Sequence, residues 1–217
     1  MNNRGILLTV LLTFGVLALL GGCTSGPAAK ECTEPGQVLW EEGSSPVRDA
    51  PKWIRGGEPA YKEAGVKKRE IPDKYLVYVG VSEDKNNDRG AQFSGVEDML
   101  KRYAFWLEEE LDELLPQAAR EAKATLPTID TAVGAYNAVI YLPRENAGYI
   151  RALWQARGKS CDTGEAVFRV YVLGLFDRET RRAHLLEAAK ETFKRAIIKA
   201  EVKDSILQEF EKLARRL

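Results

Sequence analysis

Histidine occurs once in this chain of 217 residues, and that scarcity removes much of the usual catalytic repertoire. A Ser/His/Asp or Cys/His centre would have to use His184. Arg181, Arg182 and the apolar pair Leu185-Leu186 surround it, which predicts a place on a helix surface rather than a catalytic base. HExxH, CxxC and Walker motifs are absent, and no GxGxxG follows the first expected strand. Metal sites built on imidazole or several thiolates are therefore not expected, and no cofactor is implied. Net charge is missing as well, because 32 Lys and Arg balance 32 Asp and Glu. Without a global positive field, nucleic acid is not an expected partner.

No apolar run is long enough to cross a bilayer, which takes roughly 20 residues as a helix. The longest, residues 6–20, spans about fifteen. It follows Arg4, contains Gly15 and two threonines, and gives way to Leu20-Gly21-Gly22-Cys23. A positive start, an uncharged apolar stretch and small residues before a cysteine resemble the signal peptide and lipobox of a bacterial lipoprotein precursor. The resemblance implies a signal peptide over residues 1–22, cleavage before Cys23, and lipid attachment through the Cys23 thiolate, with palmitate among the acyl chains. Gly21 and Gly22 supply the small side chains such a cut needs, and Leu20 fits the apolar position before them. Thr24 stands where an inner-membrane retention signal would have Asp, which favours the outer membrane. Each buried CH₂ contributes about 0.8 kcal/mol, so two or more chains anchor stably. An uncleaved anchor, or an ordinary signal with a chance cysteine, is the alternative.

Cysteine is scarce too, with three in the chain. If Cys23 carries lipid, Cys32 and Cys161 remain as an even pair in an oxidising space. A disulfide between them would close a loop of about 130 residues and contribute about 4 to 5 kcal/mol in the chain-entropy model. Two free thiols are the alternative, since sequence does not supply the Cα separation.

What is present describes a globular body. Hydrophobic residues make up 45% of the chain, too many for a disordered polymer. Residues 23–50, rich in Gly, Pro, Ser and Glu and broken at Gly43-Ser44-Ser45-Pro46, read as a flexible tether, with Val38-Leu39-Trp40 its one stretch with a tendency to order. Pro51-Lys52-Trp53-Ile54 opens a domain over residues 51–200, and residues 201–217 form a C-terminal helical extension. Residues 75–81 are β-rich and bounded by Asp73 and Ser82, which predicts a strand. Phe93, Val96, Leu100, Tyr103, Leu107, Leu111 and Leu114 keep the three-and-four spacing of a long helix, which Pro116 is expected to kink or restart. Asp130 is placed to cap a further helical piece through Tyr141. Residues 149–156 and 166–176 predict an antiparallel hairpin across the turn at residues 158–164. Leu185, Leu186, Ala189, Phe193, Ala196, Ile197 and Ala200 then make one helix face, continued by Ile206, Phe210, Leu213 and Leu217. The order predicts an α+β fold: a small antiparallel-containing sheet of about three strands, packed with a long central helix and C-terminal helices.

Three further groupings carry candidate chemistry. Asp84, Asn86 and Asp88 match the first oxygen ligands of a calcium loop, but Arg89 and Gly95 stand where glycine and glutamate are required. A solvated turn, with Asp88 or Ser94 as the helix cap, is the expected reading. The acidic run of residues 108–113 cannot converge, since adjacent helical residues point about 100° apart. Trp53, Tyr75, Tyr78, Trp106, Trp154 and Tyr171 are candidates to line a ligand groove or to fill core and rim.

The lipobox at Cys23, Pro51-Lys52-Trp53, the Tyr78-Val79-Gly80-Val81 strand before a long helix, Trp154 before a turn, and Tyr171-Val172-Leu173 leading to a helix together resemble the twenty-kilodalton outer-membrane lipoprotein family (LPP-twenty type). The resemblance covers roughly residues 46–200. The helix after Gly90 has fewer alanines than such members show, the segment over residues 121–146 is longer, and the C-terminal helices extend further. What it implies is an envelope-attached α+β domain without catalysis, and it carries over no functional residue beyond Cys23. The expected function is structural or protein-interacting, with the membrane as partner through the lipid anchor and an envelope protein as second partner. The C-terminal helix is the candidate partner surface if it protrudes, and a packed helix if it does not. The alternative is a periplasmic carrier for a lipid or a cell-envelope fragment.

Overall fold

The long apolar stripe of the central segment organises the molecule. The computed structural model describes residues 32–67, 74–143 and 147–217. The expected signal peptide and the lipid attachment at Cys23 lie outside the described residues. The chain divides into two units, residues 1–33 and residues 34–217. In the second, the elements in chain order are β1 (Val38–Trp40), a 3-10 turn (Lys52–Arg55), α1 (Gly57–Glu63), β2 (Tyr75–Val81) and α2 (Asp88–Glu121). They are followed by α3 (Thr131–Ile140), β3 (Ile150–Ser160), β4 (Ala166–Asp177), α4 (Arg178–Phe193) and α5 (Ala200–Ala214).

The fold is α+β, with an antiparallel sheet in the order β1-β3-β4-β2. The sheet has four strands among the described residues, where the sequence pattern predicts about three. The additional one is β1, inside the segment expected to be a tether, where Trp40 pairs with Gly158. Three residues are too few to display a period-two pattern, so only the pairing reveals it. The hairpin forms in the predicted order, with Trp154 opposite Tyr171. Its first strand runs on to Ser160, further than expected.

Helix α2 buries Val96, Leu100, Tyr103, Leu107, Leu111 and Leu114 along one face. It passes through Pro116 without a break, against the expectation of a restart. A proline inside a helix costs about 3 kcal/mol. Leu111, Leu114, Leu115, Ala118 and Ala119 are all buried around it, and each large apolar side chain contributes about 1.5 to 3 kcal/mol. Burial on both sides of the proline outweighs the lost hydrogen bond. Asp130 caps α3, its carboxylate accepting from the Val133 amide at 3.0 Å.

The C-terminal segment does not form one continuous face. Helix α4 ends at Phe193 and α5 starts at Ala200, and Ile197 between them is 98% exposed. Ile206, Phe210 and Leu213 are buried, with α5 packed on α2 and α4. The C-terminal helix is thus a packed helix, and its apolar stripe is not free for a partner.

Candidate functional site

The helices meet the sheet through an aromatic stack. Tyr103 of α2 is fully buried and lies on Phe176 of β4 with ring centroids 3.8 Å apart. Trp106 also stacks on Tyr103 at 5.8 Å, and Tyr149 stacks on Phe176 at 5.3 Å. Tyr78 of β2 tilts against Tyr103 at 5.9 Å. His184 of α4 meets the Tyr103 ring edge-on, and its Nδ1 shares a hydrogen bond with Tyr103 Oη at 3.1 Å. The Arg181 guanidinium stands 5.6 Å from the Trp106 ring centre.

Burial sets the ionisation of this cluster. It pushes the Tyr103 and Tyr78 hydroxyls well above the usual phenol range and lowers His184, with Asp177 acting in the opposite sense. It also lowers Arg181, against the pull of Tyr103, and raises Glu110, with Glu113 adding to the effect. His184 is thus a half-buried packing partner rather than the surface residue its flanks predict. The free space beside Trp106, Arg181, Arg182, Leu185 and Leu217 is about 10 Å³, at most room for one water. The cluster holds α2, α4 and the sheet together.

The six aromatics named from the sequence do not line one groove. Tyr78 and Trp106 belong to the helix side of the sheet, whereas Trp53, Trp154 and Tyr171 cluster around Leu173 on the other. On that second side Trp154 and Tyr171 lie 5.6 Å apart, and Arg169 covers the Trp40 ring at 5.3 Å. Several hollows remain open among the described residues, including two of some size. One, of about 570 Å³, is walled by Trp53, Lys52, Lys62, Glu58 and Glu63. The other, of about 470 Å³, lies at the start of α3 between Glu108, Arg195 and Thr192.

The calcium-like loop is occupied by protein. Asp84 makes a bidentate pair with Arg169, at 2.7 and 2.9 Å. Neither Asp88 nor Ser94 caps α2: Asn87 does, its Oδ1 accepting from the Gly90 amide at 2.6 Å. Asn87→Ala is accordingly expected to cost about 1 kcal/mol, read as a lower denaturant midpoint at unchanged slope. Among the described residues no group of three or more His, Cys, Asp or Glu is placed to hold a metal. Within the acidic run, Glu109, Asp112 and Glu113 are exposed, and Asp112 accepts from the Thr131 hydroxyl at 2.7 Å.

Cys32 and Cys161 form a disulfide, which resolves the alternative of two free thiols. The residues that sequence reasoning passed over are Phe176, Tyr149 and Arg169. Phe176 and Tyr149 fall in expected strands, and only the sheet register brings Phe176 to Tyr103 and Tyr149 to Phe176. No family model, no curated protein and no solved structure matches this chain.

Proposed function

We propose that the protein is a lipid-anchored envelope lipoprotein with a structural or protein-interaction role, held at the outer membrane by acyl chains on Cys23. The observation that carries this reading is the register of Arg4, the apolar residues 6–20, Gly21-Gly22 and Cys23. The Cys32–Cys161 disulfide supports it, because such bonds form and persist in oxidising compartments rather than in the cytosol. The reading draws on the lipobox and the disulfide, not on the family resemblance. The carrier alternative is weaker, since the aromatics that would have lined its groove face two sides of a sheet.

Metabolic labelling with palmitate in a Gram-negative host tests it. The native chain is expected to take up label and fractionate with the outer membrane, and Cys23→Ala to lose the label and accumulate as a longer precursor. An unlabelled native chain released as a soluble periplasmic protein overturns the anchor. In-cell crosslinking of the labelled form then reads the interaction role: one envelope protein captured in near-stoichiometric amount supports it, and scattered neighbours alone count against it.

A further inference from the structure

Strand β1 fills only part of the edge that β3 offers, facing Gly158, Lys159 and Ser160. Around this end of β3 the odd-numbered residues turn their backbone groups toward the edge. The Cys161 amide donates to the Gln37 carbonyl at 2.9 Å, and the Arg157 carbonyl accepts from the Glu41 amide at 2.8 Å. Ser44 closes the run, its hydroxyl donating to the Arg157 carbonyl at 2.9 Å and accepting from the Arg157 amide at 3.3 Å. The chain then folds on itself, the Ser45 amide donating to Asp49 Oδ2 at 2.8 Å. In an antiparallel ladder the alternation continues, so Gln155 and Leu153 present the next N–H and C=O groups outward. Among the described residues nothing hydrogen-bonds to those groups. Both residues are exposed, Leu153 by 47%. The lead into β3 does not run along this edge either, since the Ile150 amide donates to the Ala147 carbonyl at 3.0 Å, a tight turn at the strand's start.

Leu153 stands opposite Val172, which is buried beneath the helices, so the side chains of Leu153, Gln155 and Arg157 share the helix side of the sheet. Helix α2 sits on β2 and β4 and leaves that side of β3 exposed. Where its first turn meets β3 there is a hollow of about 230 Å³, lined by Leu153, Val170, Gln155, Gln92, Asp88 and Arg89. Strand β3 carries Arg151, Arg157 and Lys159 and no acidic residue. Two carboxylates answer these three cations: Glu41 pairs with Arg157 at 3.1 Å, and the Thr180 amide and, more weakly, Arg151 hold the Asp177 carboxyl below its usual range. Asp88 and Arg89 in the hollow cancel, and the edge stays positive.

We propose that this edge receives an extended acidic segment of another protein, added antiparallel beside β3 and in line with β1. Gln155 and Leu153 each exchange both backbone hydrogen bonds with one residue of the segment. Carboxylates toward its two ends meet Arg151 and Arg157, and an apolar side chain between them enters the hollow beside Leu153. In such strand addition the main-chain bonds supply affinity, and the side-chain pocket supplies selectivity. A second copy of the chain is excluded by charge. Pairing Leu153 with Gln155 of the partner subunit would set Arg151 against Arg157 of the partner subunit, and like charges directly opposite are destabilising. Charge on an edge strand is the common device against self-pairing, and the same charge selects an acidic occupant. The inference deepens the protein-interaction reading by giving the partner's chemistry. It is independent of Cys23, so a chain that takes up no palmitate leaves it standing.

The test is fluorescence anisotropy of the labelled heptapeptide Glu-Thr-Val-Thr-Leu-Thr-Glu, blocked at both ends, titrated with the full chain in detergent. Saturable binding is expected, about tenfold weaker when both glutamates are replaced by lysine, and lost when the Val and Leu amides of the peptide are methylated. Bound peptide is expected to slow deuterium exchange at the Leu153 and Gln155 amides about tenfold. Gln155→Pro removes one outward N–H and leaves the β4 ladder intact, at an edge where proline is tolerated. It is expected to weaken binding about tenfold at unchanged thermal unfolding. Arg151→Glu, at an exposed position, is expected to narrow the preference for the acidic peptide over the lysine one. No saturable binding up to about 1 mM overturns the proposal. So does equal binding of the two peptides by the native chain, or binding that leaves the Leu153 and Gln155 amides exchanging as before.

Discussion

Gly80→Val is expected to lower the stability of the fold by about 3 kcal/mol or more, at the top of the range for overpacking a core. The cause is the approach of α2 to β2. At Gly80 a Cβ would stand 2.5 Å from the Met99 amide nitrogen and 2.6 Å from its Cβ. The first of these neighbours is helix backbone, which cannot step aside as the end of a side chain can. Gly95 makes the complementary approach from the helix, where an added Cβ would meet the Val170 carbonyl oxygen at 3.1 Å. Seating is therefore glycine against helix and glycine against strand, and a branched side chain at position 80 must lift α2 from the sheet. Lifting α2 also loosens the Tyr103–Phe176 stack one turn further along. The measurement is chemical denaturation, followed by near-UV circular dichroism as a report on the aromatic stack. Gly148→Ala, where an added Cβ meets nothing within 4 Å, serves as the control and is expected to change stability by less than about 0.5 kcal/mol. A valine tolerated at position 80 would mean that the helix is free to move, and the close packing described here would be wrong.

The elements most legible in the sequence were those in which one periodicity persisted. Over α2, the spacing from Val96 to Leu114 survives translation into burial almost residue for residue, because a helix that long presents a single face to a single sheet. The strong strand over residues 166–176 was equally plain. Legibility failed where a neighbour decides the outcome. Val38–Trp40 is a strand only because β3 runs on to Ser160 and offers Gly158 as partner. Ile197 fits the helical spacing, yet the chain turns before it and leaves it in solvent. His184 has charged and apolar neighbours in sequence, and its environment is set instead by Tyr103 and Phe176 from two other elements. The aromatic residues show the same limit. Their spacing gives the strand or helix each occupies, but which side of the sheet each takes depends on register, and a one-residue slip would exchange the sides.

Cys161→Ser is expected to cost about 2 to 5 kcal/mol, the usual loss for a native disulfide. Cys161 is bonded to Cys32, and the loop between them takes in about 130 residues, for which the chain-entropy model gives close to 5 kcal/mol. Most of that loss arises in the unfolded chain, which gains freedom when the cross-link goes. Locally the folded state keeps other ties near the bond. The Cys161 amide donates to the Gln37 carbonyl at 2.9 Å, and the Gly36 amide donates to the Asp162 carboxylate at 2.9 and 3.1 Å. The variant should therefore retain β1 on the sheet while its denaturant midpoint falls and its slope rises slightly, as a more expanded unfolded state exposes more surface. Cys32→Ser should reproduce both values, since the same cross-link is lost from its other end. Adding a thiol reductant should bring the native chain down to the same midpoint and leave either variant unchanged. A loss confined to one of the two variants would point to local packing at that residue instead of the cross-link. The expected size matters because small domains carry only about 5 to 15 kcal/mol of net stability. A chain kept under reducing conditions would forgo a large share of that margin, so the fold becomes fully stable only where the disulfide persists.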